Sequence, residues 1–169
     1  MADKSNAMPH GHELWYRTFF DVAVNYPHIE ARHMYIDALC YQLVRDPSQF
    51  RVIVTSNLFG DIVTDLGAAL QGGLGMAPSA NVHPARVSMF EPVHGSAPDL
   101  AGKDRANPFA AVLSVGMMLA HLGWPEDEAL LVDVVREGVA TGQCTEDIGG
   151  TLGTSATGDW LVRTIRARA

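Results

Sequence analysis

Basic residues are scarce: 12 Lys and Arg stand against 19 Asp and Glu, a net charge of −7 over 169 residues. That balance argues against a protein that grips nucleic-acid phosphates, which needs a basic face. Cysteine is rarer still. Cys40 and Cys144 lie far apart with no C-x-x-C spacing, so neither a disulfide scaffold nor a zinc ribbon is indicated, and a reducing compartment fits. No stretch reaches the roughly 18 apolar residues of a membrane span. The opening residues, MADKSNAMPHGHE, lack the apolar centre of a signal peptide. The expectation is a cytoplasmic protein with no membrane and no nucleic-acid partner. Four familiar signatures are missing as well: G-x-G-x-x-G, the P-loop, H-E-x-x-H and G-x-S-x-G. What remains is 47% hydrophobic and 18% charged, too apolar for a disordered chain.

The apolar residues have a readable period. From Glu13, the positions Leu14, Trp15, Phe19, Val22 and Ala23 predict a helix, stopped at Tyr26-Pro27. Ile29 to His33 is a candidate short strand. Tyr35 to Arg45 predicts a second helix with Ile36, Leu39, Cys40, Leu43 and Val44 on one face, ended by Asp46-Pro47. The β-branched run FRVIVT, Phe50 to Thr55, predicts a strand buried on both faces. Asn57 to Leu70 returns to helical spacing. Gly72, Gly73, Gly75 and Pro78 then break the composition, which places a domain crossing near residues 71–75. Residues 81–108 are turn-rich, and a loop of that length is usually functional. Phe109 to Leu122 predicts a largely buried helix, Glu126 to Val139 an amphipathic one, and Ser155 to Arg166 a closing one. The alternation of strand-like and helical pieces gives an α/β fold class.

Two segments carry most of the possible chemistry. In NLFGDIVTD, Asp61 and Asp65 stand four residues apart on a helix that follows a strand. This like-charge spacing costs an isolated helix about 0.2–0.5 kcal/mol. Two carboxylates at the carboxyl end of a strand suit a hard cation such as Mg²⁺ or Mn²⁺. The same spacing also occurs in solvated aspartates held by the helix dipole. Asp37, among the apolar residues of MYIDALC, is either a third oxygen ligand or a flank residue of an amphipathic helix. Lys4 is a general base if its charge is disfavoured by its surroundings, and otherwise a solvated lysine. The second segment, EPVHGSAPDLAGKDRANP, sets Glu91, His94, Gly95, Ser96, Asp99 and Asn107 in turn-forming surroundings. Such a loop can present backbone N–H groups to a nucleotide. A carboxylate there, such as Asp99, pairs with a ribose 2′-hydroxyl and repels a 2′-phosphate.

Taken together, the segments DKSN at Asp3–Asn6, NLFGD at Asn57–Asp61 with Asp65, EPVHGSAPD at Glu91–Asp99, Ala106-Asn107-Pro108 and DIGG at Asp147–Gly150 resemble the metal-dependent β-decarboxylating dehydrogenases. That family includes isopropylmalate, isocitrate, homoisocitrate, tartrate and D-malate dehydrogenases. The resemblance implies an isopropylmalate dehydrogenase-like α/β fold, of which this chain carries the carboxy-terminal half. Residues 1–71 would be part of the dimer-forming catalytic domain and residues 72–169 part of the cofactor domain.

It also implies roles. Lys4 would move protons at the substrate hydroxyl and at the later enol. Asp61 and Asp65 would ligate Mg²⁺ or Mn²⁺, with Asp37 reaching the metal of a neighbouring subunit, so that catalysis by Lys4 and Asp37 needs a homodimer. His94, Gly95, Ser96, Ala97, Asp99, Asn107 and Asp147 would hold NAD, with Glu91 near its nicotinamide. Lys103 and Arg105 nearby leave use of NADP open. The implied reaction is NAD-dependent oxidative decarboxylation of a 2-hydroxy diacid. KSNAMP at Lys4–Pro9 most resembles the D-malate and tartrate type, with 3-isopropylmalate as the alternative substrate. Ala156 departs from the family, which often has glutamate there. The larger departure is size: the family's amino-terminal half brings substrate-clamping arginines and a catalytic tyrosine that are not here. A non-catalytic chain that needs a partner half is therefore a rival expectation, as is a nucleotide-binding module without redox chemistry.

Overall fold

The computed structural model describes residues 1–168, in two compact units, Met1–Gly67 and Ala68 onward. The dividing point falls inside a helix. The fold is helix-rich α/β with short strands.

In the first unit, strand β1 (Ala2–Asp3) pairs in parallel with β2 (Met34–Tyr35), setting Ala2 opposite Met34 and Asp3 opposite Tyr35. Helix α1 (Pro9–Ala23) begins four residues before the predicted start because Pro9 occupies its first turn, where a missing N–H costs nothing. Helix α2 (Ile36–Arg45) buries Leu39 and Leu43. Helix α3 (Asn57–Leu70) contributes Val63. These side chains close on Ala2, with Met34, Ile36, Phe50, Ile53 and Leu66 around them. On α3 Val63 is buried, whereas its neighbour Ile62 is 52% exposed.

Two strand expectations fail here. Residues 29–33 form no strand, because the Ile29 N–H turns back to the Tyr26 carbonyl and pairing begins only at Met34. Residues 50–55 form no strand either. Among the described residues, the segment's one backbone hydrogen bond to another segment runs from the Ala2 N–H to the Val54 carbonyl, at 2.8 Å. A strand buried on both faces needs neighbours on both sides, and within this unit the segment has one. Val52 is consequently 82% exposed. The segment walls an apolar groove of about 570 Å³, shared with Phe19, Val22, Tyr26 and Ile29.

The second unit holds the antiparallel pair β3 (Pro78–Asn81) and β4 (Met89–Pro92), with Ser79 opposite Glu91. Helices α4 (Phe109–His121), α5 (Pro125–Ala140) and α6 (Thr154–Arg168) follow. Glu126, Asp127 and Glu128 open α5 and Arg166 and Arg168 close α6, each complementing the helix dipole. The core gathers Phe109, Val134, Val135, Cys144 and Leu161. Burial of α4 is one-sided rather than complete. Phe109, Ala110, Ser114 and Gly116 are buried, whereas Val115 is 45% exposed. Gly138 is required where it stands, because a Cβ there would lie 2.8 Å from Cζ of Phe109 and 2.9 Å from Trp160.

Candidate active site

The parallel pairing of β1 and β2 ends both strands at the same level, and the chain leaves each strand carrying a charged residue. Lys4 follows β1 and Asp37 opens α2. Their side chains meet, with Lys4 Nζ 2.7 Å from Asp37 Oδ1. Lys4 is no free solvated lysine: its side chain is 26% exposed, while that of Asp37 is 68% exposed. The hydrogen bond from Lys4, with help from backbone N–H groups, holds the Asp37 carboxyl below its ordinary range.

The main chain of Lys4 is fixed as well. Its N–H donates to Nδ1 of buried His12 at 3.2 Å. Its carbonyl accepts from the Ala7 and Met8 N–H groups at 2.9 and 2.8 Å. His12 was not among the residues singled out in the sequence. The signal available was a histidine eight positions on in a polar stretch, too weak without the turn that folds it back.

Asp3, directly before Lys4, is 2% exposed. Its Oδ1 accepts from Ser5 N–H and Ser5 Oγ, both at 3.0 Å, and lies 2.8 Å from His33 Nε2. Burial pushes the Asp3 carboxyl up, but the bonds from His33 and Ser5 outweigh it and hold the carboxyl below its ordinary range. A depressed folded-state value means that this group stabilises the fold above about pH 4, the ordinary aspartate range. That contribution is lost as pH falls through the lowered value. Urea midpoints measured from pH 6 to pH 3 should therefore fall more steeply for the parent chain than for Asp3→Asn. Parallel slopes would contradict the linkage.

Asp61 and Asp65 sit on successive turns of α3, both exposed. Asn57 Nδ2 approaches Asp61 Oδ2 at 3.4 Å. Among the described residues, no three His, Cys, Asp or Glu side chains converge as a metal site. Within one chain Asp37 pairs with Lys4. One chain thus offers two exposed carboxylates, a donor set that suits Mg²⁺ or Mn²⁺ completed by substrate oxygens and water.

The loop after β4 forms a separate hollow of about 310 Å³ in the second unit. His94, Gly95, Ser96 and Ala97 line it together with Asp104, Arg105 and Thr154. Ala97 and Asp104 both have left-handed backbones, φ 42° and 54°. The hollow keeps its shape through contacts about 50 residues apart in the chain. Asp104 Oδ1 accepts from Ser155 N–H at 2.8 Å and Ser155 Oγ at 2.7 Å, and Thr154 Oγ1 donates to the Ala106 carbonyl at 2.6 Å. Arg105 is engaged by Glu146. Beside it, Asn107 Nδ2 donates to Asp147 Oδ2 at 3.0 Å, and Asn107 Oδ1 accepts the Phe109 N–H that opens α4. Gly75 packs so closely on this pair that a Cβ would lie 2.7 Å from Asn107 Cβ. Asp99 is exposed on the turn Pro98–Leu100, and Glu91 is exposed on β4. Neither lines the hollow. Asp104 and Thr154 were not singled out, since nothing local marks two residues that meet across the fold.

Comparison with known proteins places these features. Residues 1–161 match the isocitrate/isopropylmalate dehydrogenase family. The 3-isopropylmalate dehydrogenase of Streptomyces coelicolor is 44% identical over 165 residues, which is 94% of this chain and 48% of that protein. The 3-isopropylmalate dehydrogenase of Mycobacterium sp. (strain KMS) is 45% identical over 164 residues, covering 96% of this chain and 47% of that protein. Isocitrate dehydrogenase from Methylococcus capsulatus superposes with a TM-score of 0.90 at 38% identity, covering 98% of this chain and 49% of that one. A β-decarboxylating dehydrogenase from Thermococcus kodakarensis superposes at 0.81 with 38% identity, over 98% and 48%. The chain spans about half the length of the relatives it matches. With a match that runs through both units, the chain belongs to the isocitrate/isopropylmalate dehydrogenase family.

Proposed function

We propose that this chain forms the carboxy-terminal half of an NAD- and divalent-metal-dependent enzyme that oxidises and decarboxylates a 2-hydroxy diacid, working as a homodimer. The observation that carries this reading is the 2.7 Å pair of Lys4 and Asp37, in the unit that also presents Asp61 and Asp65. The names of the relatives favour 3-isopropylmalate over D-malate or tartrate. In this reading residues 1–71 belong to the dimer-forming domain and residues 72–169 to the cofactor domain.

Asp61 and Asp65 are the residues that would hold the cation. His94–Ala97, with the Asn107–Asp147 pair, would hold the adenosine end of NAD, and Asp99 and Glu91 would meet parts of it beyond the hollow. Bound there, the cation supplies Lewis-acid polarisation of the diacid's hydroxyl and carboxylate oxygens, and NAD supplies the hydride acceptor. The chain's own part is proton handling. Lys4, acting as the neutral amine, takes the proton of the 2-hydroxyl as the C–H bond is oxidised, and the ammonium so formed returns a proton to the enol that CO₂ loss leaves. Asp37 orients the lysine for both transfers. Arg105 is already committed to Glu146, so the hollow offers no unpaired guanidinium to a 2′-phosphate, which supports NAD over NADP.

The test joins the half of the Streptomyces coelicolor relative that this chain does not match to the present sequence. The chimera is assayed for NADH formation with Mn²⁺ against 3-isopropylmalate, D-malate and tartrate. Turnover of 3-isopropylmalate is the expected result. No turnover of any diacid by a folded chimera that binds NAD and Mn²⁺ would overturn the reading.

A further inference from the structure

We propose that the Asp3–His33 hydrogen bond is a positioning device for the Lys4–Asp37 pair, so that His33 and Asp3 act on the reaction through Lys4 without touching the substrate. The inference rests on the reading of Lys4 given above. Its basis is topological. Asp3 is the last residue of β1 and His33 immediately precedes β2. Their side chains meet at 2.8 Å, so the bond ties the two strands together one residue before Lys4 and four before Asp37. The strands contribute only two residues each to the ladder. So short a ladder does little to hold register, and a part-buried side-chain bond across it fixes what the backbone leaves loose.

The donor and acceptor are both pre-set. Asp3 Oδ1 also receives Ser5 N–H and Ser5 Oγ. Those bonds fold the chain back just past Lys4 and commit this oxygen to accepting, so His33 Nε2 donates. The His33 ring is held edge-on between Tyr16 of α1 at 4.9 Å and Tyr35 of β2 at 5.1 Å, which limits its rotation. Asp3 Oδ2 is buried with no partner among the described residues. A carboxylate left half-satisfied in the interior is costly to keep, which makes Asp3 a poor choice for packing alone. On this geometry the bond sets where the Lys4 backbone leaves β1, and with it the reach of Nζ towards Asp37.

The chain has two lysines, Lys4 and Lys103, so ¹⁵N labelling of lysine gives a readable ammonium spectrum. An ammonium held in an ion pair exchanges slowly enough to be seen, and Asp37→Asn assigns the Lys4 signal by abolishing it. Two variants separate ring from bond. His33→Phe keeps a ring between the tyrosines and removes the donor; His33→Gln removes the ring and keeps a donor. The expected result is loss of the Lys4 signal in His33→Phe and its retention in His33→Gln, with near-UV circular dichroism confirming that each folds. A retained signal in folded His33→Phe, or a lost one in folded His33→Gln, overturns the proposal. If His33→Phe does not fold, the His33→Gln result decides alone.

In the chimera, His33→Phe should lower kcat by roughly 10²-fold, as a misplacement of about 1 Å does. The KM for the diacid should stay unchanged, and His33→Gln should restore kcat. Should the ammonium signal follow this pattern while the chimera oxidises no diacid, the functional reading fails and the positioning device stands.

Discussion

Lys4→Ala in the chimera is expected to lower kcat by about 10²–10⁴-fold, the span that a positioned proton-transfer group contributes, while NAD affinity stays at the parent value. The split follows from where the groups lie. Lys4 belongs to the first unit and pairs with Asp37 at 2.7 Å, whereas the hollow lined by His94–Ala97 belongs wholly to the second. Lys4→Arg keeps the charge but should rescue little. A guanidinium stays protonated at every working pH and cannot return as a base. Steady-state kinetics on the three chimeras, with NAD titrations followed by calorimetry, check both halves of this statement. A kcat within threefold of the parent for Lys4→Ala would remove the lysine from the chemistry.

The second large effect concerns stability. Phe109→Ala should cost about 3–5 kcal/mol, as complete truncation of a buried phenylalanine does. That is a large share of the roughly 5–15 kcal/mol that holds an ordinary domain folded. Phe109 is fully buried, with its ring edge directly over Gly138 and Val134, Val135, Cys144 and Leu161 around it. The cavity has little chance to collapse, since the neighbours come from α5, α6 and the loop that holds Cys144, elements already packed together. Its N–H is also the one capped by Asn107, so loosening here reaches the Asn107–Asp147 pair as well. Urea unfolding of the second unit, read by the fluorescence of half-buried Trp160 and exposed Trp124, gives the number. A loss below 1 kcal/mol would mean that the core repacks.

The elements with strong period were legible in the sequence. Every helix was anticipated within a few residues, and α2 carried its Leu39–Leu43 face as read. The chemistry-bearing motifs were legible for a different reason: they are contiguous, so Asp61 with Asp65, or His94 through Ala97, could be grouped without knowing the fold. Residues 50–55 were misread because a β-branched run reports what a segment prefers to be covered by, and among the described residues of other segments only Ala2 bonds to its backbone, while Val52 stays 82% exposed. His12, His33 and Asp104 were passed over because their importance is a long-range contact. His33 meets Asp3 across 30 positions and Asp104 meets Ser155 across 51, and no local pattern records such a meeting.

The exposed row at residues 50–55 has a practical side. A chain that displays an extended, apolar, singly bonded edge offers a template on which like molecules can add strands. Solutions of this polypeptide should therefore clear at low concentration and turn cloudy as it is concentrated, through ordered edge-to-edge growth. Val52, 82% exposed in the middle of that row, is the natural place for a lysine when a well-behaved sample is wanted.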